Sequence, residues 1–124
     1  MNDLAILRLA DAMARHAATR HAVVAENVAN ADTPGYRARD LPDFAAALRE
    51  GAVQKATRET HLTARDRRLW EARESAAPGA QGPNGNDVSV SDQLARAAEA
   101  LGAHDRATTI YAKTIDILRL GLRR

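Results

Sequence analysis

The sequence predicts a mainly α-helical protein in which a long N-terminal helix and a long C-terminal helix pair as a coiled-coil-like hairpin. Three observations predict this class. Residues 1–31 contain no Gly or Pro, residues 91–122 carry a heptad repeat, and the 4 Pro with five of the 7 Gly lie between these segments. At 124 residues, the chain 1–124 has the length of a single domain.

The N-terminal helix is predicted over 1–31 because Ala, Leu, Arg and Met dominate a segment without helix breakers. Asn2 or Asp3 can cap its start, and Pro34 prevents it from continuing. Apolar residues recur at spacings of three and four, which predicts a buried stripe. We expect this stripe to serve helix packing and subunit contact through Ile6, Met13 and Val24, with Ala10 and Ala17 between them.

The middle segment, 32–90, is predicted to be irregular and partly mobile because Gly and Pro are concentrated there. One short helix is expected over 43–50, where Phe44, Ala47 and Leu48 share a face and Gly51 ends the run. Residues 75–87, with the sequence SAAPGAQGPNGND, have the composition of a mobile loop. We expect no residue of this loop to enter a core.

The C-terminal helix is predicted over 91–122, with Ser89, Ser91 or Asp92 as its cap. Its heptad places one column at Leu94, Leu101, Thr108, Ile115 and Leu122, and a second column at Ala97, His104, Tyr111 and Leu118. This repeat favours a seam shared with the N-terminal helix, and an amphipathic surface helix remains the alternative. The predicted packing and subunit-interface positions are Leu94, Leu101, Tyr111, Ile115 and Leu118.

The composition argues against an enzyme, a cofactor site and a metal site. The chain has no Cys, its 4 His lie at spacings unsuited to one metal ion, and no Gly-rich phosphate loop is present. Acidic residues (16) nearly balance basic ones (18), so the net charge of +2 disfavours a sequence-independent nucleic-acid binder. No apolar run is long enough to span a bilayer, and the N-terminus lacks the pattern of a cleavable signal.

The most informative stretch is 27–36, with the sequence NVANADTPGY. Asn27 and Asn30 lie on one helix face, where their amides could hydrogen-bond the backbone of a chain that doubles back. The segment from Thr33 to Tyr36 fits a type II turn, with Pro at its second position and Gly35 supplying a positive φ at its third. From the residues alone, an ordinary helix exit is the favoured interpretation.

This stretch resembles the Asn-x-Ala-Asn-x-x-Thr-x-Gly-Tyr signature of the bacterial flagellar basal-body rod and hook proteins. The matching residues are Asn27, Ala29, Asn30, Thr33, Gly35 and Tyr36, with Pro34 inside the turn. The blocks ARDLPDF (38–44) and PNGNDV (83–88) resemble the proximal rod proteins in particular. The C-terminal helix departs from the family pattern at His104, where an aromatic residue is usual, and at Ala100, where Asn or Gln is common.

The resemblance implies a non-enzymatic structural subunit of the proximal rod, the drive shaft that connects the membrane ring to the distal rod and hook. Copies would self-assemble helically, next to other rod proteins such as FlgC and the ring-to-rod adaptor FliE. The flagellar type III export apparatus would deliver the chain to the periplasmic rod without a cleavable signal peptide. No nucleic acid and no direct membrane insertion are implied. The alternatives are a small helical nucleic-acid-binding module and a secretion adaptor or chaperone.

Overall fold

A computed structural model describes residues 2–54 and 70–123. Its elements in chain order are helix α1 (Asn2–Ala29), strand β1 (Arg39–Asp40), helix α2 (Phe44–Gln54), strand β2 (Arg73–Glu74) and helix α3 (Val90–Leu122). The predicted mainly helical class is confirmed, with the two long helices packed together. Among the residues that the structure describes, no helix combines the length and apolarity needed to cross a membrane.

The two long helices run antiparallel. Near the end of α1, Asn27 contacts Gln93 in the first turn of α3. Two turns earlier in α1, Arg20 forms an ion pair with Glu99, which lies further along α3. The start of α3 is capped by Ser89, whose Oγ accepts a hydrogen bond from the amide of Asp92 at 3.4 Å.

The seam between the helices is built mainly from small side chains with a seven-residue period. The buried seam residues are Ala10, Ala17 and Val24 on α1, and Gln93, Ala100, Ala107 and Thr114 on α3. Small residues at the contact allow two helix axes to approach closely. A repeat of seven keeps the same face of each helix turned towards its partner.

The register predicted for α3 is wrong by one residue in its first column. Leu94 and Leu101 are 62% and 57% exposed, and the buried column lies one position earlier along the chain. A seven-residue repeat indicates that one face of the helix is packed. It does not indicate which column of residues is buried, because neighbouring columns repeat with the same period. The prediction selected the column with large apolar residues, whereas the close approach of α1 selects the column with small ones.

The other predicted packing positions differ in burial. Met13 on α1 and Ile115 and Leu118 on α3 are half-buried at the edges of the seam. Ile6 and Tyr111 are exposed. Of the three α1 positions proposed from the sequence, Val24 alone is fully buried.

The middle segment contains more regular structure than expected. Asp43 caps α2 by accepting a hydrogen bond from the Ala46 amide at 3.0 Å. This helix continues through Gly51 to Gln54, so the predicted end at Glu50 is wrong. Gly in a helix interior costs only about 1 kcal/mol relative to Ala, which the rest of a helix can offset.

A short antiparallel pair was not predicted. In it, Arg39 pairs with Glu74 and Asp40 pairs with Arg73. Strands of two residues show no alternation of polar and apolar side chains, so sequence periodicity cannot detect them. The pair brings the chain that leaves α1 next to the chain that returns towards α3.

Candidate functional site

The residues of the signature end α1 and form the predicted turn. The amide of Tyr36 donates to the carbonyl of Thr33 at 3.2 Å, and Gly35 has a φ of 72°. This combination fits the turn type expected from Pro34 and Gly35. The Gly35 amide also donates to the carbonyl of Asn84 at 3.0 Å, which ties the turn to the loop that precedes α3.

Asn27 is the centre of the site. Its side chain is 0% exposed, and its Nδ2 donates to the Arg39 carbonyl at 2.6 Å and to Oε1 of Gln93 at 2.8 Å. Its Oδ1 accepts from the Arg39 amide and from the Tyr36 hydroxyl, both at 3.1 Å. An amide side chain has two donors and two acceptor lone pairs, so every hydrogen-bonding position of Asn27 is used. Asn27 therefore makes the contact with the following backbone that the sequence offered as an alternative to an ordinary helix exit.

Asn30 behaves differently from the expectation. Its Nδ2 donates to the Glu26 carbonyl at 2.9 Å within the last turn of α1, and its Oδ1 accepts from the Thr33 hydroxyl at 3.1 Å. The prediction that this side chain also reaches the returning backbone is wrong. The Glu26 carbonyl lies one turn earlier in the chain and also accepts from the Asn30 backbone amide at 3.1 Å, so a local bond competes successfully with a distant one.

The loop 75–87 contributes two buried side chains. Nδ2 of Asn86 donates to the carbonyls of Asn30 and Thr33, both at 2.8 Å, and its Oδ1 accepts from the Val88 amide at 2.8 Å. The carboxylate of Asp87 accepts from the Ala38 amide and from Arg37. The expectation that no residue of this loop enters a core is wrong, because polar side chains can be buried when their hydrogen bonds are satisfied.

A second polar cluster lies beside Asn27 and centres on Asp40. The guanidinium of Arg20 contacts both carboxylate oxygens of Asp40, at 2.8 and 2.9 Å, and Arg96 contacts the same carboxylate at 3.2 Å. Arg96 also donates to the carbonyl and hydroxyl oxygens of Ser75 at 3.1 Å. The hydrogen bond to Asp40 raises the pKa of Arg20 above its ordinary value despite partial burial. The cluster connects α1, β1 and α3 through charged side chains.

The structure brings together only part of the signature. Asn27 and Tyr36 meet through their side chains, and Asn30 and Thr33 meet in the last turn. Ala29 is exposed at the end of α1, and Pro34 and Gly35 are exposed in the turn. The described residues hold no group of acidic or imidazole side chains that could bind a metal ion. The hydrogen bonds between Asn27 and Tyr36 and between Asn30 and Thr33 fix the direction in which the chain leaves α1.

Comparison with known proteins agrees with the signature. Residues 10–37 match the family model described as flagella basal body rod protein. The chain carries the signature of the flagellar rod proteins. The resemblance predicted from the sequence is confirmed, and the match covers most of α1 and the whole turn.

Curated relatives point to the same family. The chain is 49% identical over 47 residues to the flagellar basal body rod protein FlgB of Escherichia coli (strain K12), which is 38% of this chain and 33% of that protein. It is 54% identical over 37 residues to FlgB of Salmonella typhimurium (strain LT2), which is 30% of this chain and 26% of that protein. The chain therefore spans about a third or less of the length of the relatives it matches.

Sequence reasoning missed the Asp40 cluster, and it also missed three residues that contact or lie near the signature. Gln93, Asn86 and Asp87 lie beyond the segment matched by the rod-protein family model, which ends at residue 37. The block PNGNDV did carry a usable signal, since it contains two Asn and one Asp in six residues. Side chains of this kind hydrogen-bond backbone groups at helix ends as readily as they form turns. Nothing in the sequence marked Gln93 as a buried residue. It only precedes Leu94, the first residue of the predicted column, by one position.

Proposed function

We propose that this protein is a structural subunit of the flagellar basal-body rod, most similar to the proximal rod protein FlgB, and that it performs no catalysis. The observation that supports this role most directly is the buried bonding of Asn27, in the segment that matches the rod-protein family. That bonding sets the chain direction after α1 without forming a reactive site. The whole chain, 1–124, acts in this proposal as one rod-protein domain.

The distribution of large apolar side chains supports assembly. Small residues fill the seam of the hairpin, while many large ones remain on its outside. These exposed residues are Leu4, Ile6, Leu9, Val28, Val90, Leu94, Leu101, Ile110, Tyr111, Ile117, Leu120 and Leu122. Burial of apolar surface stabilises an assembly by about 25 cal/mol per Å². Extended apolar surfaces of this kind mark contacts with other chains.

In this proposal, the predicted interface residues divide between two tasks. Val24 packs inside the hairpin, whereas the exposed Ile6, Leu94, Leu101 and Tyr111 contact neighbouring subunits. The half-buried Met13, Ile115 and Leu118 lie between the inside of the hairpin and the surface that contacts neighbouring subunits. The neighbours are further copies of this chain, other rod proteins such as FlgC, and the adaptor FliE. Delivery by the flagellar export apparatus to the periplasmic rod completes the proposed role.

A complementation experiment tests the proposal. A strain lacking the gene should fail to swim and should lack complete rods in electron micrographs of its basal bodies, and the wild-type gene should restore both. The Leu101→Asp variant should be exported normally but should fail to restore rods, because a charge is costly to bury at a subunit contact. Thr109→Asp, at an exposed polar position on the same helix, is the matched control.

Two results would contradict the proposal at different levels. Normal motility of the deletion strain would exclude a structural role in the rod. Normal rods with Leu101→Asp would leave the rod role intact and remove the outer face of α3 as a subunit contact.

A further inference from the structure

His16 is a buried titratable side chain that the proposed rod function does not use. It lies on α1 and is 5% exposed. Its ring centroid is 5.3 Å from that of Phe44 and 5.9 Å from that of Trp70, and both rings are tilted by 56° to the imidazole. Nε2 has no hydrogen-bond partner among the residues that the structure describes. A buried polar atom of this kind is unusual, and it makes the charge state of the ring important.

The imidazole borders a cavity between the two long helices and the start of α2. Four charged side chains face this cavity: Arg20 from α1, Asp40 from β1, Asp43 from the start of α2 and Glu99 from α3. Arg20 pairs with both Asp40 and Glu99, and Asp43 caps α2. These carboxylates are therefore bound to other groups and do not hydrogen-bond the buried Nε2.

We propose that His16 is a pH-controlled latch. Its ring holds the side chains of Phe44 and Trp70 against the hairpin, and Phe44 carries the start of α2 with it. The neutral ring packs between the two aromatic side chains. Protonation places a positive charge and a second N–H in this buried site, where Nε2–H meets no acceptor from the described residues. The charged ring is stabilised when the aromatic side chains separate from α1 and water reaches it.

The direction of the pKa shift agrees with this geometry. Burial lowers the pKa of His16 below its ordinary value of 6.5, and Arg20 lowers it further. The hydrogen bond that the imidazole donates to the Pro42 carbonyl raises the pKa of His16, as do the charges of Asp40 and Asp43, but they do not reverse the result. The open form therefore binds a proton more readily than the closed form. The latch is closed above pH 6.5 and opens as the pH falls from that value through the lower pKa of the closed form.

Trp70 gives a direct readout because it is the only Trp in the chain. Fluorescence of the purified full-length protein should be followed from about pH 8 to about pH 5, across the range in which histidine titrates. We expect the emission to shift to longer wavelength and acrylamide quenching to rise severalfold, with a midpoint below pH 6.5. Far-ultraviolet circular dichroism should stay constant over this range, because α1 and α3 remain paired.

Two variants separate His16 from other effects. His16→Phe should keep the emission at its high-pH position throughout the titration, since an apolar ring of similar shape cannot be protonated. His21→Gln, at an exposed position on the same helix, should retain the wild-type transition. Proton NMR of the imidazole in the wild-type protein provides a second measurement that does not depend on a variant, and His16 should titrate at the midpoint of the fluorescence change.

Several outcomes would overturn the latch. Emission that does not change with pH, or a transition that persists in His16→Phe, would exclude His16 as its origin. A loss of helical circular dichroism at the same midpoint would show that the hairpin itself unfolds. A separate imidazole titration midpoint would show that His16 does not control the aromatic contacts.

Discussion

The side-chain amide of Asn27 donates to Oε1 of Gln93 at 2.8 Å, and both side chains are 0% exposed. This bond joins the last turns of α1 to the first turn of α3 across 66 residues of sequence. Since Asn27 also pairs with both backbone groups of Arg39, one side chain holds three segments together. The signature residue therefore fixes the return of the chain as well as the exit from the helix.

Asn27→Ala should destabilise the hairpin strongly. The substitution leaves the amide and carbonyl of Arg39 and Oε1 of Gln93 without their partner. Buried polar groups that lose a hydrogen bond cost about 1–3 kcal/mol each, so we expect a loss of about 3 kcal/mol or more in the free energy of unfolding. Urea denaturation followed by circular dichroism measures this loss.

Asn30→Ala is the matched control for Asn27→Ala. It removes only bonds within the last turn and its exit, so the expected loss is below about 1 kcal/mol. Equal losses in the two variants would show that the cross-helix contacts of Asn27 add nothing beyond a local helix end.

Gly35→Val should strain the turn through its backbone. No atom lies within 4 Å of the position that a Cβ would take, so there is no steric clash with the rest of the chain. The φ of 72° is nevertheless costly for a β-branched residue, by about 1–3 kcal/mol. Gly35→Asn should cost less, because Asn tolerates this conformation. Thermal unfolding of both variants tests the ranking, and equal midpoints would show that the positive φ is not maintained.

The sequence predicted the long helices well because their ends carry local signals. Pro34 prevents α1 from continuing, and Ser89 provides a cap for α3, so the observed bounds lie within a few residues of those expected. The contact between Asn27 and the returning chain was also predictable. Asn is a poor helix former, so a hydrogen bond to the chain that follows was one explanation for its place there, beside an ordinary helix exit.

The remaining features depend on contacts that are distant in sequence. The amide of Asn86 reaches the end of α1, and Arg96 joins Asp40 to Ser75, without any pattern in the intervening residues. The register of the seam was misjudged for a related reason. Hydrophobicity alone favoured the column of Leu94 and Leu101, but the distance between two helices decides which side chains fit between them.

Asn86→Asp should disrupt the cap at the end of α1. The carboxylate cannot donate to the carbonyls of Asn30 and Thr33, and it places a negative charge beside both oxygens. We expect a loss of about 2–4 kcal/mol in the free energy of unfolding, because the buried charge faces two carbonyl oxygens, although the Val88 amide still donates to it. The measurement is a urea titration near neutral pH, where Asp is ionised.

The neighbouring Asn84 supplies the control for this charge. Asn84 uses its Oδ1 as an acceptor for the Asn86 amide, and an Asp side chain preserves that role. Asn84→Asp should therefore change stability by less than about 0.5 kcal/mol, as expected for an exposed site. If Asn84→Asp lowered the free energy of unfolding as much as Asn86→Asp, the added charge in the loop, and not the loss of the cap, would be the cause.

Ala100→Asp and Leu101→Asp test the register of the seam at adjacent positions. Ala100 is buried against α1, so a carboxylate there loses its hydration, and the free energy of unfolding should fall by about 3 kcal/mol or more. Leu101 faces outwards, and its replacement should leave the purified monomer within about 0.5 kcal/mol of the wild type. Chemical denaturation at low protein concentration separates these effects from assembly. Greater destabilisation by Leu101→Asp would restore the register predicted from the large apolar residues, whereas the opposite order supports a seam of small residues with large apolar side chains left for other subunits.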